Sequence, residues 1–444
     1  MIRKMLLGAV LVGISTITMA KTWTLRDCIN YAVENNITIR KNRVTEQTGV
    51  STLKQNKSAL WPSISFSTSH SFTSNPLEDS GGTIGSSGEV KYADKISYNG
   101  QYGINANWTV WNGGINRKNI TAQKITNEIN ELKTETSELT IQESIIKLYA
   151  QIMYTREAVK VNEALVKTAQ AQYDRCVEMQ KQGLKAKADV IALEAQLASA
   201  KYDVVDSKTK VDDYKRQLKA LLQLDMTEDF DISGEIPADE RALEAIPEAT
   251  EVYSTAVATR PEIKSAEKSI ESANVQYDIA RRGYYPTIGV TASLSDNHNT
   301  MSDLDFATKL KNNFGINGGV SLSVPIWDQR KTKTNKEKAL LQKTSAQLDL
   351  QDTKDKLSSQ IEQYWLNAKS GQQKFVSAET KVKSQRTSFE LTDEQFRNGL
   401  KNVVDVLESR DKILSAEQDK LQSKYTTLLN AQLLKFYKGE ELDL

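Results

Sequence analysis

The spacing of apolar side chains changes period several times along the chain. From Thr24 to Leu60, Leu25, Cys28, Ile29, Ala32 and Val33 recur every three or four positions, which predicts one helix with an apolar stripe. Thr24 is placed to cap it and Pro62 to stop it. The period then drops to two. Ile64, Phe66, Thr68, His70 and Phe72 alternate with Ser63, Ser65, Ser67, Ser69 and Ser71, so a strand with one mostly apolar face and one hydroxyl face is expected. A stretch from about 73 to 94, rich in Ser, Gly, Asp and Asn, predicts a long polar connection. A second strand sets Tyr98, Tyr102, Ile104, Ala106, Trp108 and Val110 against Asn99, Gln101, Asn105, Asn107 and Thr109, and closes at Trp111-Asn112-Gly113-Gly114.

Between Ile115 and Gln182 there is neither Pro nor Gly, and rows such as Ile141, Ile145, Leu148 and Ile152 keep the helical period. At 1.5 Å per residue this predicts a helix about 100 Å long. After Gly183 a further helix runs to about Leu224, and an acidic, irregular piece with Pro237 and Pro247 spans Asp225 to Glu248. The order then repeats. A helix ends at Tyr284-Tyr285-Pro286. A third strand carries Ile288, Val290, Ala292 and Leu294. A polar loop begins at Asp296-Asn297-His298-Asn299, and a fourth strand carries Phe314, Ile316, Val320, Leu322 and Val324. A long helix reaches Asn398, and a last one runs to about Tyr437.

The two breaks between long helices resemble one another. Asn398-Gly399-Leu400-Lys401 with Asp405-Val406 matches Gln182-Gly183-Leu184-Lys185 with Asp189-Val190 at an offset of about 216 positions. The chain therefore reads as an internal duplication: residues 1–20 as a signal peptide, a first repeat over 21–248 with strands at about 63–111 and a linker at about 225–248, and a second repeat over 249–444 with strands at about 287–325.

Composition narrows the class. The 444 residues contain only 7 Pro, and the mean hydropathy is -0.50, which suits long helices with a single apolar stripe. The 58 basic and 57 acidic residues nearly cancel, so no nucleic-acid footprint is expected. Cys28 and Cys176 are too far apart in sequence to suggest a metal motif or a disulfide framework, and His70 and His298 are the only histidines. Neither a metal nor a cofactor is expected, and no nucleophile–base set suggests an enzyme. Arg3-Lys4, an apolar run over Met5–Ile14 and Thr18-Met19-Ala20 have the form of a secretory signal peptide. No later apolar run approaches the roughly 20 residues of a membrane-spanning helix.

Strands of about ten residues are long enough to cross a bilayer. Apolar groups on one face and Ser, Asn, Gly or Thr on the other suit a barrel with lipid outside and water inside; a soluble antiparallel sheet with one wet face would show the same alternation. Four strands cannot close a barrel, for which about eight are needed, so several chains would have to contribute.

The junctions Trp61-Pro62 and Tyr285-Pro286, the segments Arg260-Pro261-Glu262-Ile263 and Val324-Pro325-Ile326-Trp327-Asp328, and above all the two Gly-Leu-Lys…Asp-Val turns give the chain its resemblance to the TolC-type outer membrane efflux protein family. The resemblance spans essentially the whole mature chain. It departs at Gln329-Arg330, which stand where Gly113-Gly114 do in the first half. It implies a mainly α fold with β strands: a homotrimer whose twelve-stranded transmembrane barrel takes four strands from each chain and continues into a periplasmic α-helical barrel with an equatorial belt. It also implies the exit duct of a tripartite efflux pump or type I secretion system, working with a periplasmic adaptor, an inner-membrane transporter and outer membrane lipid.

Comparison of the two turns sorts their residues. Gly183 and Gly399 are shared and permit the bends; Leu184 and Leu400 are expected to pack them. Asp189 and Asp405 are also shared and suit a helix start. Glu408 faces Ala192 in the other copy, and Phe396 faces Gln180. Asp405 and Glu408, three positions apart, share one helix face. The resemblance implies that Asp405 and Glu408 line the periplasmic aperture and that Asp189, Phe396 and Lys401 link neighbouring coils. A solvated carboxylate is the plainer role for Glu408, and a coiled-coil core position for Phe396. The competing reading from another class is a trimeric outer-membrane adhesin, which would also pool strands and use long helices.

Overall fold

The computed structural model of the chain describes residues 22–74, 82–84, 90–92, 96–234, 236–299 and 305–440. The expected signal peptide and parts of the polar connections around 73–94 and 296–313 lie outside the described residues. The elements in order are β1 (Thr22–Trp23), α1 (Leu25–Asn35), α2 (Ile37–Ser58), β2 (Ser63–Ser74), β3 (Gly82–Ile84), β4 (Val90–Tyr92) and β5 (Ile96–Asn112). Next come α3 (Ile115–Lys181), α4 (Lys187–Leu222), β6 (Asp231–Ile232), α5 (Ala249–Thr259) and α6 (Pro261–Arg281). The remainder is β7 (Thr287–Asn299), α7 (Phe306–Asn313), β8 (Gly315–Ser323), α8 (Lys331–Arg397) and α9 (Val403–Lys438). The long helices come in matched pairs: α3 and α8 have 67 residues each, α4 and α9 have 36 each.

Three expectations need correction. The helix expected over Thr24–Leu60 is two helices, because Asn36 is extended (φ -62°, ψ 129°). Its side chain holds the break, accepting from Thr38 N–H at 2.8 Å and donating to Leu221 O at 3.0 Å. The helix expected to end at Tyr284 likewise breaks at Arg260 (ψ 131°), since Pro261 disfavours the helical region for the residue before it. Asp296–Asn299, expected as a loop, instead extends β7 and pairs with Asn99–Tyr102. Part of the polar stretch beyond it is the helix α7, capped by Asp305 and packing Phe306 edge-on against His298 at 4.9 Å. Thr24 does cap α1, in a reciprocal capping box with Asp27.

The described residues fall into two compact units. One comprises Arg43–Lys133 and Lys264–Asp352 and contains the main sheet, in which β2, β5, β7 and β8 lie in that order, all antiparallel. The register lines the apolar positions up in rows across all four strands: Ile64, Ala106, Ala292 and Gly318 form one row, and Phe66, Ile104, Leu294 and Ile316 the next. Between them runs a row of Ser65, Asn105, Ser293 and Asn317 on the other face. The apolar rows are exposed, including Ile64, Phe66, Ile316, Val320 and Leu322. β2 and β8 are the two edges of this sheet. A short helical core of Ala122, Ile125, Ile129 and Val275 belongs to the same unit.

Both strand-to-helix turns of this unit are left-handed. Gly113 and Gly114 have φ of 68° and 78°, and Gln329 and Arg330 have 54° and 71°. Gly113 is required there also by space, since a Cβ would lie 2.8 Å from the Tyr285 side chain.

The other unit comprises the described residues up to Asn42, Thr134–Ile263 and those from Thr353 onward. Its core includes Ile145, Ile152, Leu218, Leu222, Ile361, Phe375 and Leu434, all buried. Gly371 lets α8 and α9 approach, since a Cβ on it would lie 2.6 Å from Thr427 Oγ1. The buried Lys424 is paired: its Nζ lies 3.2 Å from Glu157 and 2.9 Å from Asp239. Glu143 accepts from Tyr364 at 2.6 Å, Tyr437 at 3.0 Å and Lys147 at 2.7 Å.

Candidate functional site

The candidate site is the pair of helix turns in the helical unit. At the first, Gly183 has φ 75°; its N–H donates to Gln180 O at 3.0 Å, and Leu184 N–H donates to Met179 O at 2.9 Å. At the second, Gly399 has φ 77°; its N–H donates to Phe396 O at 3.1 Å, and Leu400 N–H donates to Gln395 O at 2.9 Å. Both are Schellman closures, in which a left-handed glycine lets two N–H groups satisfy the last carbonyls of the helix. The same sequence produces the same turn twice. Leu184 and Leu400 do not pack these turns, contrary to expectation: they are 64% and 75% exposed.

The helices that leave the turns are capped unequally. Asn402 caps α9, accepting from Asp405 N–H at 2.9 Å, and the Asp405 carboxylate accepts from Asn402 N–H at 3.1 Å. In the first turn Asp189 accepts from Ala186 N–H at 3.3 Å, but alanine has no side chain to reciprocate. Asp405 also lies 3.7 Å from Lys401 Nζ, and Glu408 pairs with Lys412 at 2.7 Å on an exposed face.

Phe396 is only 6% exposed and joins Cys176, Leu193, Val403 and Val406 in one cluster, so helix ends from both halves of the sequence share a core. Lys185 Nζ sits 3.7 Å from the centre of the Phe396 ring, a cation–π contact that ties one turn to the helix entering the other. The geometry thus brings Phe396 to Lys185, and Lys401 to Asp405. Asp189 acts on Cys176: burial first, then the Asp189 carboxylate, push that thiol up, while Lys185 pulls it down. Cys28 is pushed up to about 12 by burial, then by Asp27. Both thiols are buried, and such thiols are poorly reactive.

Sequence reading missed Asp393. It lies on α8 and is buried, with its carboxylate accepting from Gln172 at 2.9 Å and pairing with Arg175 at 3.5 Å, both on α3, and with Arg397 on its own helix. Asp393 precedes Phe396 by three and Arg397 by four, and Gln172 precedes Arg175 by three. That helical spacing was the available signal, but sequence alone does not show that the two faces meet. Among the described residues no group of three or more His, Cys, Asp or Glu could hold a metal ion, and no helix is long and apolar enough to cross a membrane.

The family model for outer membrane efflux proteins matches residues 28–223 and 252–440. The chain belongs to the outer membrane efflux protein family. It is similar to the outer membrane protein TolC of Salmonella enteritidis, with 20% identity over 98% of this chain and 85% of that one. It is also similar to the alkaline protease secretion protein AprF of Pseudomonas aeruginosa, with 21% identity over 74% of this chain and 67% of that one. The fold matches the crystal structure of the Campylobacter jejuni CmeC outer membrane channel, with a TM-score of 0.75 over 94% of this chain and 86% of that chain, at 20% identity. Like its family, the chain is an outer membrane efflux channel protein with a periplasmic helical extension. The adhesin reading finds no support among these relatives.

Proposed function

We propose that three copies of the chain form the passive exit duct of a tripartite efflux pump or type I secretion system. The observation that carries this reading is the four-stranded sheet, with apolar rows in register and edges at β2 and β8. Its apolar face is exposed and suits lipid. An open edge in lipid would leave backbone groups without partners. Because the strands alternate in direction, β2 of one copy meets β8 of the next antiparallel, so whole copies can close a barrel. Two copies would give a filled interior, whereas three leave a lumen. The two halves, 21–248 and 249–444, are duplicated structural repeats, a reading supported by the equal lengths of α3 and α8 and of α4 and α9.

In this reading the turns at Gly183 and Gly399 form the periplasmic mouth, and the exposed Leu184 and Leu400 offer an apolar surface to a periplasmic adaptor. An inner-membrane transporter supplies energy and selects cargo upstream. Asp405 and Glu408, repeated in three copies, form two acidic levels at the aperture and favour cations. Asp189, Phe396 and Lys401 hold the coils together there. Single-channel recording of Asp405→Ala and Glu408→Ala in planar bilayers tests the aperture. Cation selectivity should fall in each variant and fall further in the double variant; selectivity and conductance equal to wild type would sink this assignment.

A further inference from the structure

All four strands of the main sheet meet long helices at one end. Ser63, the first residue of β2, pairs with Asn107 of β5; Asn112, the last of β5, pairs with Thr287; and Thr287 pairs with Ser323, the last of β8. The ends of α2 and α6 and the starts of α3 and α8 therefore gather there, within one compact unit. The twelve residues of each helix nearest the sheet, with the connections to it, are 47–62, 113–126, 270–286 and 324–342. These segments hold twelve Lys or Arg and four acids, an excess of eight positive charges, in a chain whose net charge is +1. The four acids are already engaged. Glu271 pairs with Lys268 at 3.0 Å, Asp278 with Lys118 at 2.9 Å and Glu337 with Arg330 at 3.6 Å, while Asp328 accepts from Thr332 N–H at 2.7 Å. Lys57, Arg117, Arg281 and Lys333, each within one turn of a helix end, are exposed.

Between this basic collar and the apolar rows stand Trp61, Tyr285, Ile326 and Trp327, all exposed. The Tyr285 ring lies 6.3 Å from that of Trp111, which pairs with Ile288 of the apolar face, so the aromatic band belongs to the side of the sheet that suits lipid. On α3, Asn127 meets Gly49 of α2, and Ile125 and Ile129 share a core with Val275 of α6. Arg117 and Lys124, seven residues apart, share a face that neither neighbour covers. Rings followed by long cationic side chains suit a membrane–water interface, with the rings at headgroup level and the cations reaching toward phosphates.

We propose that the collar docks the headgroups of anionic phospholipids in the periplasmic leaflet. A zwitterionic headgroup would leave the excess charge unbalanced, whereas an anionic one beside each exposed cation offsets it. The starts of α3 and α8 add the partial positive charge of two helix N-termini. The proposal rests on the membrane placement of the sheet and depends neither on the number of copies nor on the aperture residues.

The test is electron paramagnetic resonance of spin-labelled phosphatidylglycerol and spin-labelled phosphatidylcholine, each in phosphatidylcholine bilayers holding the full-length protein. The motion-restricted component should favour phosphatidylglycerol about twofold, the shell average of a roughly fivefold preference at collar positions and none elsewhere. In 1 M salt, where screening acts within about 3 Å, the preference should fall toward one. It should fall likewise in Lys54→Gln/Lys57→Gln/Arg117→Gln/Lys333→Gln and persist in Lys309→Gln/Lys311→Gln, on α7. The proposal is overturned if the two lipids associate equally with wild type, as they would were the charges turned to a lumen. A preference that survives the collar variant, or is lost in the α7 variant instead, overturns it too. No restricted lipid of either kind would overturn the membrane placement and the proposal with it.

Discussion

Glycine is indispensable in some turns of this chain and replaceable in others, and the reason is local. Gly183 and Gly399 have positive φ and open space around the missing Cβ, so the cost of a side chain there is conformational. Gly399→Ala should lower stability by about 1 kcal/mol, read as a lower thermal midpoint, without loss of the fold. Gln329 and Arg330 already carry that cost, since they hold the left-handed geometry that Gly113 and Gly114 hold in the first half. Gln329→Gly should raise stability by up to about 1 kcal/mol in the same assay. The sequence showed this departure, and the two turns keep the same handedness. What it could not show was which side of each turn is free. Leu184 and Leu400 read as packing residues because both turns share them, yet both are exposed, because a Schellman closure satisfies the helix end through backbone hydrogen bonds whether or not the following side chain folds back.

Among the elements, α3, α8 and α9 are held together by polar contacts as well as apolar ones. Glu143 on α3 receives Tyr364 from α8 and Tyr437 from α9. Burial alone would raise its pKa, but Lys147 and the two tyrosines outweigh it and hold the carboxyl below its ordinary value. A depressed folded pKa gives stability that is present above the unfolded carboxylate value and lost as pH falls through the folded one. Thermal melts of wild type and Glu143→Gln should therefore differ most near neutral pH and converge below the ordinary glutamate range. A difference that stays constant with pH would contradict this account. Neutralising Glu143 should cost about 1–3 kcal/mol near pH 7, from weakened buried hydrogen bonds. Element boundaries were legible where local chemistry sets them, as at Thr24 and Pro62. Two were missed because their causes are different: Asn36 breaks a helix by reaching Leu221, far away in sequence, and Arg260 is extended before Pro261, a proline too easily read as lying inside a continuous helix. The far end of β7 was hidden because its polar residues look like a loop until pairing with Asn99–Tyr102 is known, and α7 because it is a short helix of eight residues within a polar stretch.

For the whole molecule, the alternation of apolar and hydroxyl residues in four segments already carried the membrane reading, and the register adds that the rows coincide across all four strands. A core position for Phe396 was expected and is found, but the residues that share its core and the Asp393 contacts with α3 were not readable in advance, because helical spacing identifies faces but not their partners. The central claim is that three copies close one barrel through their sheet edges. Paired cysteines test it most directly, with Ser65→Cys in β2 and one of Asn317→Cys, Gly319→Cys or Ser321→Cys in β8, oxidised in intact outer membranes and resolved on denaturing gels without reductant. At least one pair should yield covalent dimers and trimers and nothing larger. Monomer alone from every pair, or a ladder extending past three, would contradict it.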